Sequence, residues 1–190
     1  MTGNDIVDMK VAATESNWKR KGFLEKVFTD NEQEYIKEAT DSNEMVWKLW
    51  TMKESSYKLY TQKYGGRFFA PKKFRCTLST ETTGLIEYDD SNYQTITVSN
   101  KNFIYSIAKS IENVAADFIN ETILLPQTKY QQQFIYKKII DRYVSVTNQF
   151  KKNIALVKDK NGIPFLYCGN NLQIPVSITH HGRFAAFTIH

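Results

Sequence analysis

The stretch around which the fold is predicted is Trp50-Thr51-Met52-Lys53-Glu54-Ser55-Ser56-Tyr57-Lys58, in a chain of 190 residues. It lies within a segment, Ser42 to about Tyr60, that begins with a capping-box signal and continues with apolar residues at helical spacing. The segment is therefore predicted to be a helix. Trp50, Glu54 and Lys58 fall at i, i+4 and i+8, so they share one face of it.

A second acidic position lies near the start of the chain, in Gly3-Asn4-Asp5-Ile6-Val7. These residues are predicted to form a short strand, in which Asp5 shares a face with Val7 because side chains alternate. A carboxylate on an apolar face suggests a ligand for a metal ion. Two simpler interpretations stay open here: Asp5 could cap a turn or helix, and Glu54 with Lys58 could be a surface ion pair worth about 0.2–0.5 kcal/mol.

The rest of the chain is predicted to alternate helices with strands. A capping box at Thr29 and Glu32 predicts a helix from Asp30 to about Ala39, and a later helix is predicted from Tyr130 to about Val146. Predicted strands cover residues 73–79, 84–88, 95–99, 103–108, 154–158, 164–167, 175–179 and 184–189. This order of elements indicates an α+β fold.

An internal repeat divides the chain into two similar helix-plus-antiparallel-sheet halves, 1–118 and 119–190. Strand patterns in the first half recur in the second, and the alignment places His180 opposite Asn100. A chance match of short strand patterns is the alternative. The predicted halves carry different polar groups, with both carboxylates in the first and the histidine in the second.

Composition restricts the class of protein. Apolar residues make up 42% and the net charge is +5, which suits an acidic protein or a phosphorylated molecule at least as well as nucleic acid. The two cysteines lack metal-ligand spacing, and neither a signal peptide nor a membrane span is recognisable. We therefore expect a cytoplasmic protein that binds neither membrane nor nucleic acid. Lys19-Arg20-Lys21 is either a solvated turn or a docking patch.

Taken together, the motifs resemble the 4′-phosphopantetheinyl transferases. The family pattern is Gly-x-Asp followed, about fifty residues later, by Trp-x-x-Lys-Glu-Ala/Ser-x-x-Lys. Here these are Gly3 to Asp5 and Trp50 to Lys58. The segment from Val176 to His180 resembles the C-terminal part of the short, holo-acyl-carrier-protein-synthase type. The length resembles the long, surfactin-synthetase-activating type, whose two halves share one active site. We expect a permuted form of that arrangement, a monomer containing both halves, with a trimer as the alternative.

The resemblance implies a Mg²⁺-dependent transfer of 4′-phosphopantetheine from coenzyme A to a serine of an apo carrier protein, with release of 3′,5′-adenosine bisphosphate. It assigns the metal to Asp5 and Glu54, catalysis to Glu54, Lys58 and His180, and coenzyme A binding to Lys53, Lys58, Thr179 and His180. Glu54, directly or through a metal-bound water, would accept the serine proton.

Two positions depart from the family pattern, and one partner surface is predicted. Val7 stands where many long-type members have a third acidic ligand, and Ile163 stands where a lysine is usual. An acidic carrier protein is expected to dock near Lys10 and Lys19 to Lys21. The alternatives are a non-catalytic nucleic-acid-binding module, which scattered charges disfavour, and a module that only binds carrier proteins.

Overall fold

The computed structural model describes residues 1–113, 117–169 and 172–190. It consists of two five-stranded antiparallel sheets and five helices. The helices are α1 (Met9–Glu15), α2 (Phe23–Val27), α3 (Asp30–Glu38), α4 (Ser42–Tyr64) and α5 (Gln131–Thr147). The strands are β1 (Thr2–Asp8), β2 (Arg75–Leu78), β3 (Thr83–Tyr88), β4 (Ser91–Ser99), β5 (Phe103–Ser110), β6 (Ile119–Leu124), β7 (Ile154–Lys158), β8 (Pro164–Cys168), β9 (Leu172–His181) and β10 (Phe184–Ile189).

The two sheets have the same topology. Their strand orders are β1-β5-β4-β3-β2 and β6-β10-β9-β8-β7, so each sheet is a meander whose first strand lies beside its last. This confirms the predicted α+β fold with two similar halves. The sheets fall on either side of the boundary placed between residues 118 and 119; whether the halves are separate domains stays a prediction.

The register of the predicted repeat is wrong by one residue. Asn100 N donates to Phe103 O across the turn between β4 and β5, whereas His181 pairs with Phe184 across the turn between β9 and β10. His181 therefore corresponds to Asn100, and His180 corresponds to Ser99. The difference matters because a shift of one residue moves a side chain to the opposite face of a sheet.

Helix α1 and strand β6 were not predicted from the sequence. Helix α1 follows β1 directly and is capped by Asp8, whose carboxylate accepts hydrogen bonds from Lys10 N and Val11 N. Strand β6 carries a polar Asn-Glu-Thr run and is only partly buried, so it lacks the apolar pattern of an ordinary strand. Because β6 takes the place in the second sheet that β1 has in the first, it completes the second half.

Close packing of α4 on β1 brings the acidic segments together. Gly3 is the contact point: a Cβ atom there would lie 2.0 Å from Ser55 O and 2.7 Å from Leu59 N. Ser55 and Ser56 are both fully buried, which leaves room for the strand to approach the helix. The face of β1 that carries Asp5 is thereby turned toward α4.

The free edge of β1 is covered by the second half. As an edge strand, β1 has N–H groups that β5 does not satisfy. Side chains of β9 accept hydrogen bonds from them: Asn4 N to Ser177 Oγ at 3.1 Å, Ile6 N to Thr179 Oγ1 at 3.3 Å, and Asp8 N to His181 Nδ1 at 3.0 Å. Every residue of β1 is consequently buried.

An ion pair joins the halves beside this ladder. Asp8, which is fully buried, accepts hydrogen bonds at 2.8 Å from the backbone N, Nε and Nη2 of Arg183 in the turn between β9 and β10. These bonds hold the pKa of Asp8 well below its usual range, and the guanidinium has the largest effect. Asp8 thus caps α1 and ties the second half to the first.

Candidate active site

Two carboxylates from different elements of the first half influence each other, and one of them, Asp5, lies at the junction of the halves. Asp5 comes from β1 and is 8% exposed, and Glu54 comes from α4. Burial, and to a smaller extent the charge of Asp5, raise the pKa of Glu54 to about 7. The structure therefore brings together the two carboxylates that the sequence assigned to a metal.

Lys58 forms its ion pair with Asp5 rather than with Glu54. Its Nζ donates to Asp5 Oδ1 at 2.7 Å and to Asn4 O at 3.0 Å. The Lys58 charge also lowers the pKa of Glu54, but this is the smallest of the three influences on that group. The simple surface pair between Glu54 and Lys58 is thus replaced by a partly buried contact between α4 and β1.

Lys53 lines the same cavity as Glu54 but is engaged inside the protein, and its contact with phosphate stays a prediction. The side chain is 1% exposed, and Nζ donates to Glu32 Oε1 at 2.8 Å, to Pro71 O at 3.1 Å and to Phe74 O at 2.6 Å. All three donors of the ammonium group are used inside the protein. Lys53 instead holds the chain after α4 against α3.

Thr179 lies at the junction of the halves. It is 5% exposed; its hydroxyl donates to Asp5 Oδ1 at 2.9 Å and accepts from Ile6 N at 3.3 Å. The side chain therefore faces β1, and its expected contact with the nucleotide stays a prediction. Its neighbour His180 is exposed and lines two cavities.

The carboxylates suit a hard divalent cation. Asp5 Oδ1 receives two donors, whereas no donor among the described residues reaches Oδ2. A cation between Asp5 and Glu54 would relieve the repulsion that raises the pKa of Glu54. Mg²⁺ commonly takes one or two carboxylates and completes its shell with water and phosphate oxygens. Within residues 1–113, 117–169 and 172–190, no group of three or more His, Cys, Asp or Glu side chains is placed to hold a metal.

Basic side chains line a cleft between the two halves. One cavity of about 300 Å³ contains Lys58, Arg67 and the Gly162 turn, and another of about 450 Å³ contains Arg67, Lys158 and His180. Arg67 forms the wall between them, with Nη2 2.6 Å from where a Cβ on Gly162 would lie. Neither Arg67 nor Lys158 has an ion-pair partner in the described part of the chain. Sequence reasoning missed both, because nothing marks an exposed loop cation as functional.

A third cavity, of about 320 Å³, is lined by Asp5 and His180. Its outer wall is basic and aromatic: the Arg20 guanidinium lies 5.0 Å from the centre of the Phe23 ring, and Trp18 is adjacent. The predicted docking residues Lys10, Lys19, Arg20 and Lys21 are all exposed, and Arg20 lines this cavity.

Among the described residues of the second half, the positions equivalent to Asp5 and Thr179 do not form a comparable site. By the corrected register, Glu121 of β6 occupies the position of Asp5, and Val98 of β4 occupies that of Thr179. Glu121 pairs loosely with Arg142, at 3.7 Å, and Val98 is 52% exposed because no strand covers it. Only one of the two equivalent positions is therefore built into a buried junction.

Comparisons with known proteins identify a family for this chain. A family model described as the 4′-phosphopantetheinyl transferase superfamily matches residues 1–116, which include Asp5, Glu54 and Lys58. A holo-[acyl-carrier-protein] synthase from Thermotoga maritima, of known crystal structure, is 10% identical over 90% of this chain and 83% of that chain, with a TM-score of 0.45. A search among curated proteins finds no match. The family model carries the assignment.

Proposed function

Because the chain belongs to the 4′-phosphopantetheinyl transferase superfamily, we propose that it transfers 4′-phosphopantetheine from coenzyme A to a serine of an apo carrier protein of the holo-acyl-carrier-protein-synthase kind. The by-product would be 3′,5′-adenosine bisphosphate. The observation that carries the proposal is that Asp5, at the junction of the halves, is paired with Lys58 and shifts the pKa of Glu54, while Lys58 lines a basic cleft and Asp5 lines a cavity with Arg20 and Trp18.

The basic cleft is the proposed site of coenzyme A. The pyrophosphate would lie near Lys58, and the remaining phosphate would lie near Arg67, Lys158 and His180. Charged hydrogen bonds to phosphate are the strong ones, and the cleft would hold the molecule with its reacting phosphate beside the carboxylates. Phosphoryl-type transfer depends mainly on such positioning and on charge neutralisation.

Asp5 and Glu54 are the proposed ligands of Mg²⁺, which would neutralise charge on the phosphates when bound. Lys58 would stabilise negative charge on the transferred group. A raised pKa suits Glu54 to accept the serine proton near neutral pH, because an effective general base has a pKa close to the working pH.

The carrier protein would dock over the third cavity. The exposed cations Lys10, Lys19, Arg20 and Lys21 would attract an acidic carrier, and Trp18 and Phe23 would provide apolar contact. The serine would then approach from the side of His180. Association through such a surface should weaken as salt increases.

The proposed site is complete within one chain, since β1 and α4 supply the carboxylates and β9 supplies His180. We therefore favour a monomer, with the trimer of shared sites as the alternative. Among the described residues, no helix is both long and apolar enough to cross a membrane. A cytoplasmic location stays a prediction from the sequence.

A labelling assay with a panel of apo carriers and a fluorescent coenzyme A analogue tests the proposal. We expect Mg²⁺-dependent labelling by the unaltered protein, and its loss in Glu54→Gln. Glu34→Gln, the same change on the exposed side of α3, is the matched control and should label normally. Near-normal labelling by Glu54→Gln would remove Glu54 from the mechanism. Binding of coenzyme A without transfer would favour the alternative of a carrier-binding module.

A further inference from the structure

We propose that Thr179 is a positioning residue, through which the second half orients the metal-binding carboxylate of the first. This rests on the proposed function, in which Asp5 holds Mg²⁺. The Thr179 hydroxyl bridges two atoms of β1: it accepts from Ile6 N at 3.3 Å and donates to Asp5 Oδ1 at 2.9 Å. With its acceptor side directed to the strand, its proton is directed to the carboxylate.

This contact selects which carboxylate oxygen is available. Thr179 and Lys58 both donate to Oδ1, and within the described residues Oδ2 receives no donor. The terminal torsion of an aspartate is broad, so a carboxylate held by Lys58 alone can turn. Two donors converging on one oxygen from different elements restrict that rotation and leave Oδ2 directed away from them, as the ligand oxygen.

The corresponding position in the other half provides an internal comparison. Val98 stands in place of Thr179 and cannot donate, and Glu121 in place of Asp5 turns to Arg142. The hydroxyl is therefore present only at the junction that carries the site. Removing an outer partner of a metal ligand typically weakens metal binding about 10–100-fold.

The test measures Mn²⁺ binding directly, from the electron paramagnetic resonance signal of the free ion, in four proteins. Thr179→Val keeps the shape but removes both hydrogen bonds, and we expect at least about tenfold weaker binding. Thr179→Ser keeps the hydroxyl and should bind normally. Thr188→Val is the matched control, since it removes another buried hydroxyl contact between the halves, Thr2 Oγ1 to Thr188 Oγ1 at 2.8 Å, away from Asp5. It should lower stability without changing Mn²⁺ affinity.

Several results would overturn the inference. Normal Mn²⁺ affinity in Thr179→Val, or equal weakening in Thr188→Val, would show that Thr179 only packs the halves. If Thr179→Val does not fold, Thr179→Ala removes the same hydroxyl without the added methyl, and the same expectation applies. Absence of Mn²⁺ binding by the unaltered protein would overturn the metal assignment together with this inference. Normal Mn²⁺ binding without any transfer would count against the proposed reaction alone.

Discussion

Replacing Glu54 by glutamine should stabilise the metal-free protein at alkaline pH while abolishing its activity. Burial and the charge of Asp5 raise the pKa of Glu54 from 4.5 to about 7. The folded protein therefore binds the proton more tightly than the unfolded chain. The stability that comes from the protonated form is fully present below about pH 4.5 and is lost as the pH rises through about 7.

The size of this effect follows from the pKa difference. Each pKa unit is worth about 1.4 kcal/mol, so ionised Glu54 lowers the free energy of unfolding by about 3 kcal/mol at pH 8. Glutamine has no charge to bury, so Glu54→Gln should gain up to about 3 kcal/mol over the unaltered protein at pH 8 and almost nothing near pH 4.5.

Urea unfolding of both proteins in EDTA, at several pH values between 4.5 and 8, measures the difference. Other titrating groups are common to both proteins and cancel in the comparison. Mg²⁺ should then stabilise the unaltered protein more than the variant, because a ligand that binds only the folded state adds stability. A difference between the proteins that does not change with pH, or a variant that is less stable at pH 8, would refute this account of Glu54.

Three further predictions concern the junction and the cleft. Arg183→Met leaves the buried Asp8 carboxylate without its partner and should lower the free energy of unfolding at neutral pH. Because the pKa of Asp8 is lowered, this loss of stability should shrink as the pH falls below about 4. Equal stability of the variant and the unaltered protein in urea at neutral pH would contradict the prediction. Arg67→Gln should raise the KM for coenzyme A about tenfold with little change in kcat, and an unchanged KM in steady-state assays would remove the residue from the cleft. Mixing Asp5→Ala with His180→Ala chains should restore no activity, whereas recovery would indicate sites shared between chains.

The fold was predictable where local signals were strong. The capping box at Thr29 gives α3 its observed start at Asp30, and the apolar stripe gives α4. Strand β6 was not predictable, because its side chains are only partly buried and alternate poorly. The register of the repeat was also missed, because matching residue types put Asn100 opposite His180, whereas the strand pairing puts it opposite His181.

The acidic residues of the candidate site were predictable from the sequence, and the contacts of the residues around them were less so. Asp5, Glu54 and Lys58 follow from spacing and resemblance, and the structure brings them together. The burial of Lys53 was not predictable because its partner, Glu32, shows in the sequence only as a capping residue. The contact of Thr179 with β1 was not predictable because the face of β9 that β1 covers is known only once the halves are joined.

Intact-mass spectrometry of an apo carrier protein, incubated with the monomeric fraction of this protein and coenzyme A, tests the central claim most directly. If the junction of the two halves transfers phosphopantetheine, the carrier gains the mass of one phosphopantetheine group with Mg²⁺ and none with EDTA. An unchanged mass across a panel of carriers, from folded protein that binds coenzyme A, would contradict the account.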